Sequence, residues 1–198
     1  MPQYEQRTPE WYTVRQSLMT ASNAAAALGM KPFASFTGDP RDDAIQQIVY
    51  RTFQGNIATR HGQKYEDEVR DRFCEIMGVR AREYGLIRHC DVRPPGEGYE
   101  WLAASPDGIT DCGMMIEIKC PYRRQIKPMY VPEIYYAQMQ VQMEVCDLDR
   151  CAFVQWQPDY LSETGEEVFD IQMVERDRAW FERARPKLES FYNDLMAA

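Results

Sequence analysis

The sequence predicts an α/β fold, of the α+β type, in which a mixed central β-sheet is flanked by helices. Apolar residues recur at helical spacing over residues 59–77 and 133–145, and Gly78 ends the first of these segments. Short apolar runs typical of buried strands stand before and after the second segment. The resulting order, α-β-β-β-α-β-β-α, suits a sheet with helices on its faces.

Each element has its own local signal. Residues 22–28 predict a short alanine-rich helix, with Ser22 as its N-cap and Gly29 as its stop. Three strand-like runs follow the long helix, and we expect them to form a meander. Pro132 opens the next helix, two more strands follow it, and a helix that starts near Asp177 closes the fold. The predicted strands cover residues 84–89, 100–104, 114–119, 151–157 and 167–174, and the closing helix covers residues 177–195.

Length and composition predict a single domain over residues 1–198. With 44% hydrophobic residues and no long structureless stretch, the chain can bury one sizeable core. No apolar run approaches the length of a membrane span, and the first residues lack the pattern of a signal peptide. We therefore expect a cytoplasmic protein that does not contact a membrane.

Cysteine spacing and net charge argue against three classes of protein. The six cysteines include no C-x-x-C pair, which argues against a structural zinc site and a redox motif. The net charge of −8 argues against a non-specific nucleic-acid binder, because DNA repels an acidic surface. The basic run over residues 122–127 is a local exception that directly follows a predicted strand. We predict that Arg123 and Arg124 in this run contact a phosphate backbone.

Two carboxylates and a lysine stand at the spacing that a metal-dependent phosphodiesterase needs. Asp107 precedes a glycine where a strand would turn, and Glu117 lies two residues before Lys119 in an apolar run. Side-chain alternation puts Glu117 and Lys119 on one face, and a neighbouring strand can bring Asp107 close to Glu117. Two acids so close repel each other unless a cation lies between them. Mg²⁺, with Mn²⁺ as a possible substitute, prefers such oxygen ligands.

Simpler interpretations compete with these. Asp107 can be a turn residue, and Glu117 with Lys119 can be an exposed ladder pair. For the short pattern alone, both interpretations stay open. Gln138 lies on a largely buried helix face and is either a satisfied core glutamine or a site residue. Ser22 is either only a helix cap or also part of an anion site.

Several separate motifs together resemble the PD-(D/E)xK nuclease superfamily, and within it the lambda exonuclease and YqaJ-type viral recombinase family. They are Trp11, Arg15, the Thr20-Ala21-Ser22 segment, and residues 60–66, 104–108, 117–121 and 136–140. The resemblance runs over about residues 10–142 and implies a restriction-endonuclease-like core. Residues 30–43 depart from the lambda pattern, so the residues that separate the DNA strands are not predicted.

The resemblance implies roles at a metal site. Asp107 and Glu117 would bind the metal, with the backbone carbonyl of Ile118 as a further ligand. Glu66 would bind a second metal or its water, although the helical pattern alone lets it face either the site or solvent. Lys119 would be the catalytic lysine, and it would orient or deprotonate the attacking water or stabilise charge on the phosphate.

The resemblance also implies roles in DNA binding. Arg15, Ser22 and Ser105 would form a pocket for the 5′-terminal phosphate of the strand that is degraded. Arg15 supplies a bidentate donor pair for this purpose, and the hydroxyls supply short donors. Gln138 would support the catalytic site and lie against the DNA.

The function that the resemblance implies is a Mg²⁺-dependent 5′→3′ exonuclease acting on linear double-stranded DNA with a 5′-phosphate. It would release mononucleotides and leave 3′ single-stranded tails for recombination by strand annealing. The implied partners are two further copies of the chain, in a ring-shaped homotrimer, and a single-strand annealing protein. A phage or prophage origin in a bacterial cytoplasm agrees with this. The alternatives are a structure- or sequence-specific DNA endonuclease of the same fold and a non-catalytic DNA-binding subunit.

Overall fold

A computed structural model describes residues 4–32, 36–52, 55–161 and 167–198. The long helices in these ranges begin and end where the sequence provides caps. Asn56 accepts a hydrogen bond from the Thr59 amide at the start of the longest helix, and Gly78 ends that helix at φ 65°. The helices are α1 Pro9–Arg15, α2 Ala24–Ala27, α3 Pro40–Val49, α4 Ile57–Met77, α5 Glu133–Cys146 and α6 Arg178–Ala197.

The strands form two sheets. The smaller sheet has the order β1-β4-β3, and its apolar residues pack against α2, α5 and α6. The larger sheet is mixed and has the order β2-β5-β6-β7-β8. The strands are β1 Met19–Thr20, β2 Ala81–Arg82, β3 Ile87–Arg88, β4 Leu102–Ala104, β5 Gly108–Thr110, β6 Met115–Lys119, β7 Arg150–Leu161 and β8 Glu167–Glu175.

The centre of the larger sheet is the parallel pair β6 and β7, in which Glu117 stands opposite Phe153. The connection between these strands contains α5, because parallel strands need a long crossover. On one face of the sheet, Ile116 and Ile118 pack against α4. On the other face, Met115 packs against α5. Glu117 therefore points to the α5 face, since side chains alternate along a strand.

A cluster of charges fixes the far end of α5. Glu144 accepts hydrogen bonds from Arg176 at 2.6 Å and from Arg93 at 3.3 Å, and it lies 3.4 Å from the buried ring of His89. Burial raises the pKa of Glu144, but the contacts with His89, Arg176 and Arg93 lower it more, to about 2. The carboxylate therefore stays charged and holds α5 to its neighbours.

The predicted α/β fold, with a mixed sheet flanked by helices, is confirmed. The predicted helices over residues 59–77, 133–145 and 177–195 match α4, α5 and α6 to within two residues at each end. The predicted strands over residues 114–119, 151–157 and 167–174 correspond to β6, β7 and β8. None of the helices in the described ranges combines the length and the hydrophobicity needed to cross a bilayer.

The predicted meander is wrong. β3 pairs with β4, but β4 continues to β1 in a parallel pairing, and β6 belongs to the other sheet. The cause is the unpredicted strand β5, which lies antiparallel to β6 and draws it away from β4. Helices α1 and α3 were also not predicted, and α3 begins within residues 30–43.

The prediction that Ser22 caps a helix is also wrong. Ser22 lies inside a 3₁₀ turn, Ala21–Asn23, and the helix α2 that follows has Asn23 at its N-cap position. The hydroxyl of Ser22 instead contacts Arg15 and Thr20. The predicted stop at Gly29 is confirmed, because that residue has φ 76° directly after α2 and its C-cap.

Candidate active site

The centre of the candidate site is the carboxylate of Glu117, which is 1% exposed. Its Oε1 accepts a hydrogen bond from Gln138 Nε2 at 2.7 Å, and its Oε2 accepts one from Gln142 Nε2 at 2.8 Å. Lys119 forms an ion pair with the same carboxylate. A buried carboxylate needs such donors, because burying a charge without partners is very costly. Glu117 is therefore held in one orientation by two amides and an ammonium group.

The two glutamines belong to one face of α5, since residues four apart in a helix lie one above the other. Of the two interpretations of Gln138, the structure places it in the site, in contact with Glu117. Gln142 was not predicted, although its position four residues after Gln138 on a buried face was a readable signal. Its own Oε1 is buried and has no partner among the residues that the structure describes.

Asp107 approaches Glu117 from the segment between the two sheets. Its Oδ2 accepts a hydrogen bond from the Ile118 amide at 2.7 Å, so the aspartate is fastened to β6. Arg70 holds the other side by donating to the Asp107 carbonyl at 2.9 Å. Burial raises the pKa of Asp107 well above its usual range, and the nearby Glu117 and Glu66 carboxylates raise it further. Arg70 was not predicted as a site residue, because a contact with a backbone carbonyl leaves no pattern in the sequence.

Glu66 lies on α4 and lines the same cleft. Arg7 donates to its Oε2 at 2.5 Å, while the side chain of Glu66 is 13% exposed. Burial raises the pKa of Glu66, and the charges of Arg7 and Arg70 partly oppose that shift. Glu66 therefore faces the candidate site and not bulk solvent, which settles the alternative that its helical position left open.

The cleft has a volume of about 380 Å³. It opens at the carboxyl end of β6, with the start of α4 on one side and Tyr135 of α5 on the other. Burial lowers the pKa of Lys119, but Glu117 and Asp107 raise it more, so its ammonium group is charged at neutral pH. The residues that line the cleft are Ala58, Thr59, Gly62, Gln63, Glu66, Asp107, Ile118, Lys119, Cys120, Pro121, Tyr122 and Tyr135.

The oxygen donors in this cleft fit Mg²⁺ or Mn²⁺. Within the described ranges, no three side chains of His, Cys, Asp or Glu form a ready-made metal cage. Mg²⁺ does not require one, because it keeps several waters and uses one or two carboxylates together with substrate phosphates. Burial raises the pKa of Asp107 most, and the Glu117 carboxylate raises it further. A divalent cation between the two acids would relieve their repulsion.

A second polar cluster lies between α1 and the smaller sheet. Arg15 donates to Ser22 Oγ at 2.8 Å and lies 4.1 Å from the centre of the Trp11 ring. Trp11 in turn donates through Nε1 to Ser105 Oγ at 3.0 Å. Burial lowers the pKa of Arg15 to about 10, so the guanidinium is still charged at neutral pH. The predicted phosphate-pocket residues Arg15, Ser22 and Ser105 are thus brought together, with Trp11 as the link.

The predicted DNA-contacting arginines follow β6 at the mouth of the cleft. Arg123 is exposed and lies over the ring of Tyr122, with 5.5 Å between the guanidinium carbon and the ring centre. Arg124 is less exposed and donates to Gln155 Oε1 at 2.8 Å. Arg123 is therefore the one whose guanidinium is open to a ligand, and Arg124 is held by β7.

Comparison with known proteins identifies the family of the chain. The family model for the YqaJ-like viral recombinase domain matches residues 10–149, which is more than half of the chain. The chain belongs to the YqaJ-like viral recombinase domain family. All the predicted site residues lie within the matched range. The resemblance inferred from the motifs is thereby confirmed.

Solved structures resemble this YqaJ-like domain over most of its length. The alkaline exonuclease LHK-Exo of Laribacter hongkongensis is 27% identical, with a TM-score of 0.71, and the match covers 96% of this chain and 93% of that one. LHK-Exo has also been solved in complex with dAMP, and that structure is 26% identical. A phage-related exonuclease of Haemophilus somnus 129PT shares the fold, at 14% identity and a TM-score of 0.65, over 91% of this chain and 95% of that one.

One curated relative is much longer than this YqaJ-like domain. An uncharacterized protein of Acanthamoeba polyphaga mimivirus is 29% identical over 181 residues, which covers 80% of this chain. The match spans 30% of the length of that viral protein. Family membership and the likeness to an alkaline exonuclease support a deoxyribonuclease, and specifically an exonuclease, as the function of the domain.

Proposed function

We propose that the chain is a Mg²⁺-dependent 5′→3′ exonuclease that degrades one strand of linear double-stranded DNA. The observation that carries the proposal is the short distance along the chain between the phosphate-pocket cluster (Arg15, Ser22 and Ser105) and the carboxylate site around Glu117. Only Pro106 separates Ser105 from Asp107, and two residues of extended chain span at most about 7 Å. A terminal phosphate held by Arg15 and Ser105 would therefore leave the next phosphate of the same strand beside Asp107. This arrangement favours removal of one nucleotide at a time from a 5′ end.

The relatives support the products that we propose. LHK-Exo is an alkaline exonuclease whose structure has been solved with dAMP, a deoxynucleoside monophosphate. We propose that mononucleotides are released here too, and that a 3′ single-stranded tail remains for recombination by strand annealing. The description of the family as viral recombinases agrees with this use.

The metal would be held by the carboxylates of Asp107 and Glu117 and the backbone carbonyl of Ile118. When bound, Mg²⁺ or Mn²⁺ acts as a Lewis acid and lowers the pKa of a bound water. Gln138 orients Glu117, so the acid does not have to reorganise during the reaction. Glu117 and Asp107 raise the pKa of Lys119 against the opposing effect of burial, and within this proposal Lys119 would orient or deprotonate the attacking water or stabilise the negative charge that develops on the phosphate.

The other predicted residues take supporting roles in the proposal. Glu66 would hold a second metal or its water at the edge of the cleft, through the carboxylate oxygen that does not pair with Arg7. Gln138 also lies against the DNA, and Arg123 and Arg124 bind the duplex backbone through charge. All of these roles are of the PD-(D/E)xK type, and all assume the same substrate, a linear duplex with a 5′-phosphate.

The assembly that we propose with this activity is a ring-shaped homotrimer. A ring would keep the acidic exterior away from DNA and place the basic residues around a channel. A single-strand annealing protein would load on the tail that the enzyme exposes. Light scattering tests the trimer by its mass, and a change in tail length when an annealing protein is added tests the partnership.

The decisive experiment is digestion of a linear duplex that is labelled at each end in turn. It compares 5′-phosphate with 5′-hydroxyl ends and with a closed circle, in Mg²⁺, Mn²⁺ or EDTA. Lys119→Ala removes one charged donor, and we expect it to slow release by about 10²–10³-fold. Lys187→Ala is the matched control, because Lys187 is exposed on α6 away from the cleft.

The proposal predicts mononucleotides from the 5′-phosphorylated strand only, an intact circle, and no release in EDTA. Cutting of the circle would replace it with the endonuclease alternative. No cutting in either metal would favour the non-catalytic DNA-binding subunit. Full activity of Lys119→Ala would remove the proposed role of that lysine.

A further inference from the structure

The residues before α1 form a strap beside the candidate site. The strap is Tyr4–Thr8, and it is held by backbone and side-chain contacts. The Tyr4 carbonyl accepts from the Leu86 amide at 3.1 Å. Gln6 Nε2 donates to the carbonyls of Tyr84 at 2.8 Å and of Pro106 at 3.1 Å. The strap is therefore bonded to Pro106, the residue that joins Ser105 of the phosphate pocket to Asp107 of the carboxylate site.

Arg7 occupies a special position in this strap. Its backbone lies in the left-handed region at φ 67°, which residues with a side chain adopt rarely. That conformation directs its guanidinium to Glu66, where Nη2 donates to Oε2 at 2.5 Å. The side chain of Arg7 is nevertheless 38% exposed. A guanidinium has five N–H donors, so its contact with Glu66 leaves capacity for another acceptor.

The residues on either side of Arg7 contact the carboxylate site and the helix that carries the phosphate pocket. On one side, Gln6 holds the carbonyl of Pro106, which directly precedes Asp107. On the other side, Thr8 caps α1, the helix that carries Arg15. Arg7 thus lies between the carboxylates and the phosphate-pocket cluster. It adds a positive charge where three acids, Glu66, Asp107 and Glu117, would otherwise repel a DNA phosphate.

We propose that Arg7 binds a non-bridging oxygen of the phosphate that is cleaved, and that Glu66 holds the guanidinium in place for it. This inference rests on the proposed function and adds a DNA-contacting residue to it. Planar bidentate donation is what suits arginine to this role and distinguishes it from lysine. The competing explanation is structural, with Arg7 acting only to neutralise and orient Glu66.

The test is equilibrium binding of a fluorescent duplex with a 5′-phosphate, in EDTA, over a series of salt concentrations. Arg7→Asn is the main variant, because asparagine tolerates the left-handed backbone and loses the charge. We expect it to weaken binding by about tenfold or more, as for loss of a charged hydrogen bond. It should also reduce the slope of log K against log salt by about 0.9, the value for one lost phosphate contact. Arg7→Lys should keep the slope.

A second pair of variants separates contact with DNA from support of Glu66. In a Glu66→Gln background, the added Arg7→Asn change should still weaken binding and reduce the salt slope. If Arg7 acts only through Glu66, that added change has no effect and the inference is overturned. Arg178→Ala is the matched control, because Arg178 pairs with Asp149 just after the far end of α5, about 20 Å from the cleft end of that helix.

The two proposals fail in different ways. The same wild-type preparation is incubated with the duplex in Mg²⁺, and absence of digestion would count against the exonuclease alone. Digestion by wild type together with unchanged affinity and slope in Arg7→Asn would overturn only the role of Arg7. A circular dichroism melt of each variant identifies any that are unfolded, and Arg7→Lys then serves as the folded comparison in kcat and KM.

Discussion

Replacement of Gln142 by methionine tests how the site holds its central carboxylate. Gln142 and Glu117 are each 1% exposed, and Nε2 of the first lies 2.8 Å from Oε2 of the second. A hydrogen bond to a charged group contributes about 1.5–3 kcal/mol. Methionine has a similar volume, so little cavity cost is added. It also removes the unpartnered Oε1 of Gln142, whose burial costs roughly 1 kcal/mol.

The net expectation is that Gln142→Met lowers the free energy of unfolding by about 0.5–2 kcal/mol. For a chain of this size that corresponds to a fall in Tm of roughly 1–8 °C. Urea denaturation followed by circular dichroism measures the change, and the m-value should stay constant because the fold is kept. Gln46→Met on the exposed face of α3 is the control, with an expected change within about 0.5 kcal/mol. If Gln142→Met is as stable as wild type, the amide is not a required donor and the reasoning is refuted.

Three further predictions concern other parts of the chain. Glu144→Gln should lower the free energy of unfolding by roughly 3 kcal/mol at pH 7, from a pKa shift of 4.5 to about 2. Because that pKa is depressed, the difference between wild type and variant in denaturation should vanish as the pH falls from about 4.5 to about 2. Gly85→Ala should release the strap and make the N-terminus sensitive to limited proteolysis, since a Cβ there would lie 1.9 Å from the Tyr4 carbonyl oxygen. Arg15→Ala should reduce the preference for 5′-phosphate over 5′-hydroxyl ends by about ten- to a hundredfold in digestion rate, and an unchanged preference would place the pocket elsewhere.

The long elements of the fold were predictable because they repeat a local pattern. The helix α4 shows apolar residues at helical spacing over twenty-one residues and ends at a glycine. The strands β1 and β2 have two residues each, which is too short for any period to appear. The choice of β1 as the partner of β4 depends on contacts between distant segments, such as Met19 opposite Leu102. No local pattern encodes such a pairing, and the predicted meander failed for that reason.

Asp107, Glu117 and Lys119 could be predicted because both their residue types and their spacing are typical of a metal-dependent phosphodiesterase. Their metal-binding and catalytic roles stay predictions until the digestion is done. Gln142 was missed because the motif that identified Gln138 covers residues 136–140 only, although a spacing of four residues places both amides on one helix face. Arg7 was missed because its partner, Glu66, lies 59 residues away and the strap that carries it has no periodic pattern.

The crossover helix α5 also bears on how reliably the chain folds. β6 and β7 pair in parallel, so the chain crosses one face of the sheet through α5 to complete the central pair. If α5 packed in a shifted register, Glu117 would be buried without its amide donors, at a cost of several kcal/mol. An apolar residue at that position would accept many registers equally well. We therefore expect the Glu117 carboxylate to favour the correct packing of α5 over shifted ones, so that one buried side chain links the geometry of the candidate site to the topology of the sheet.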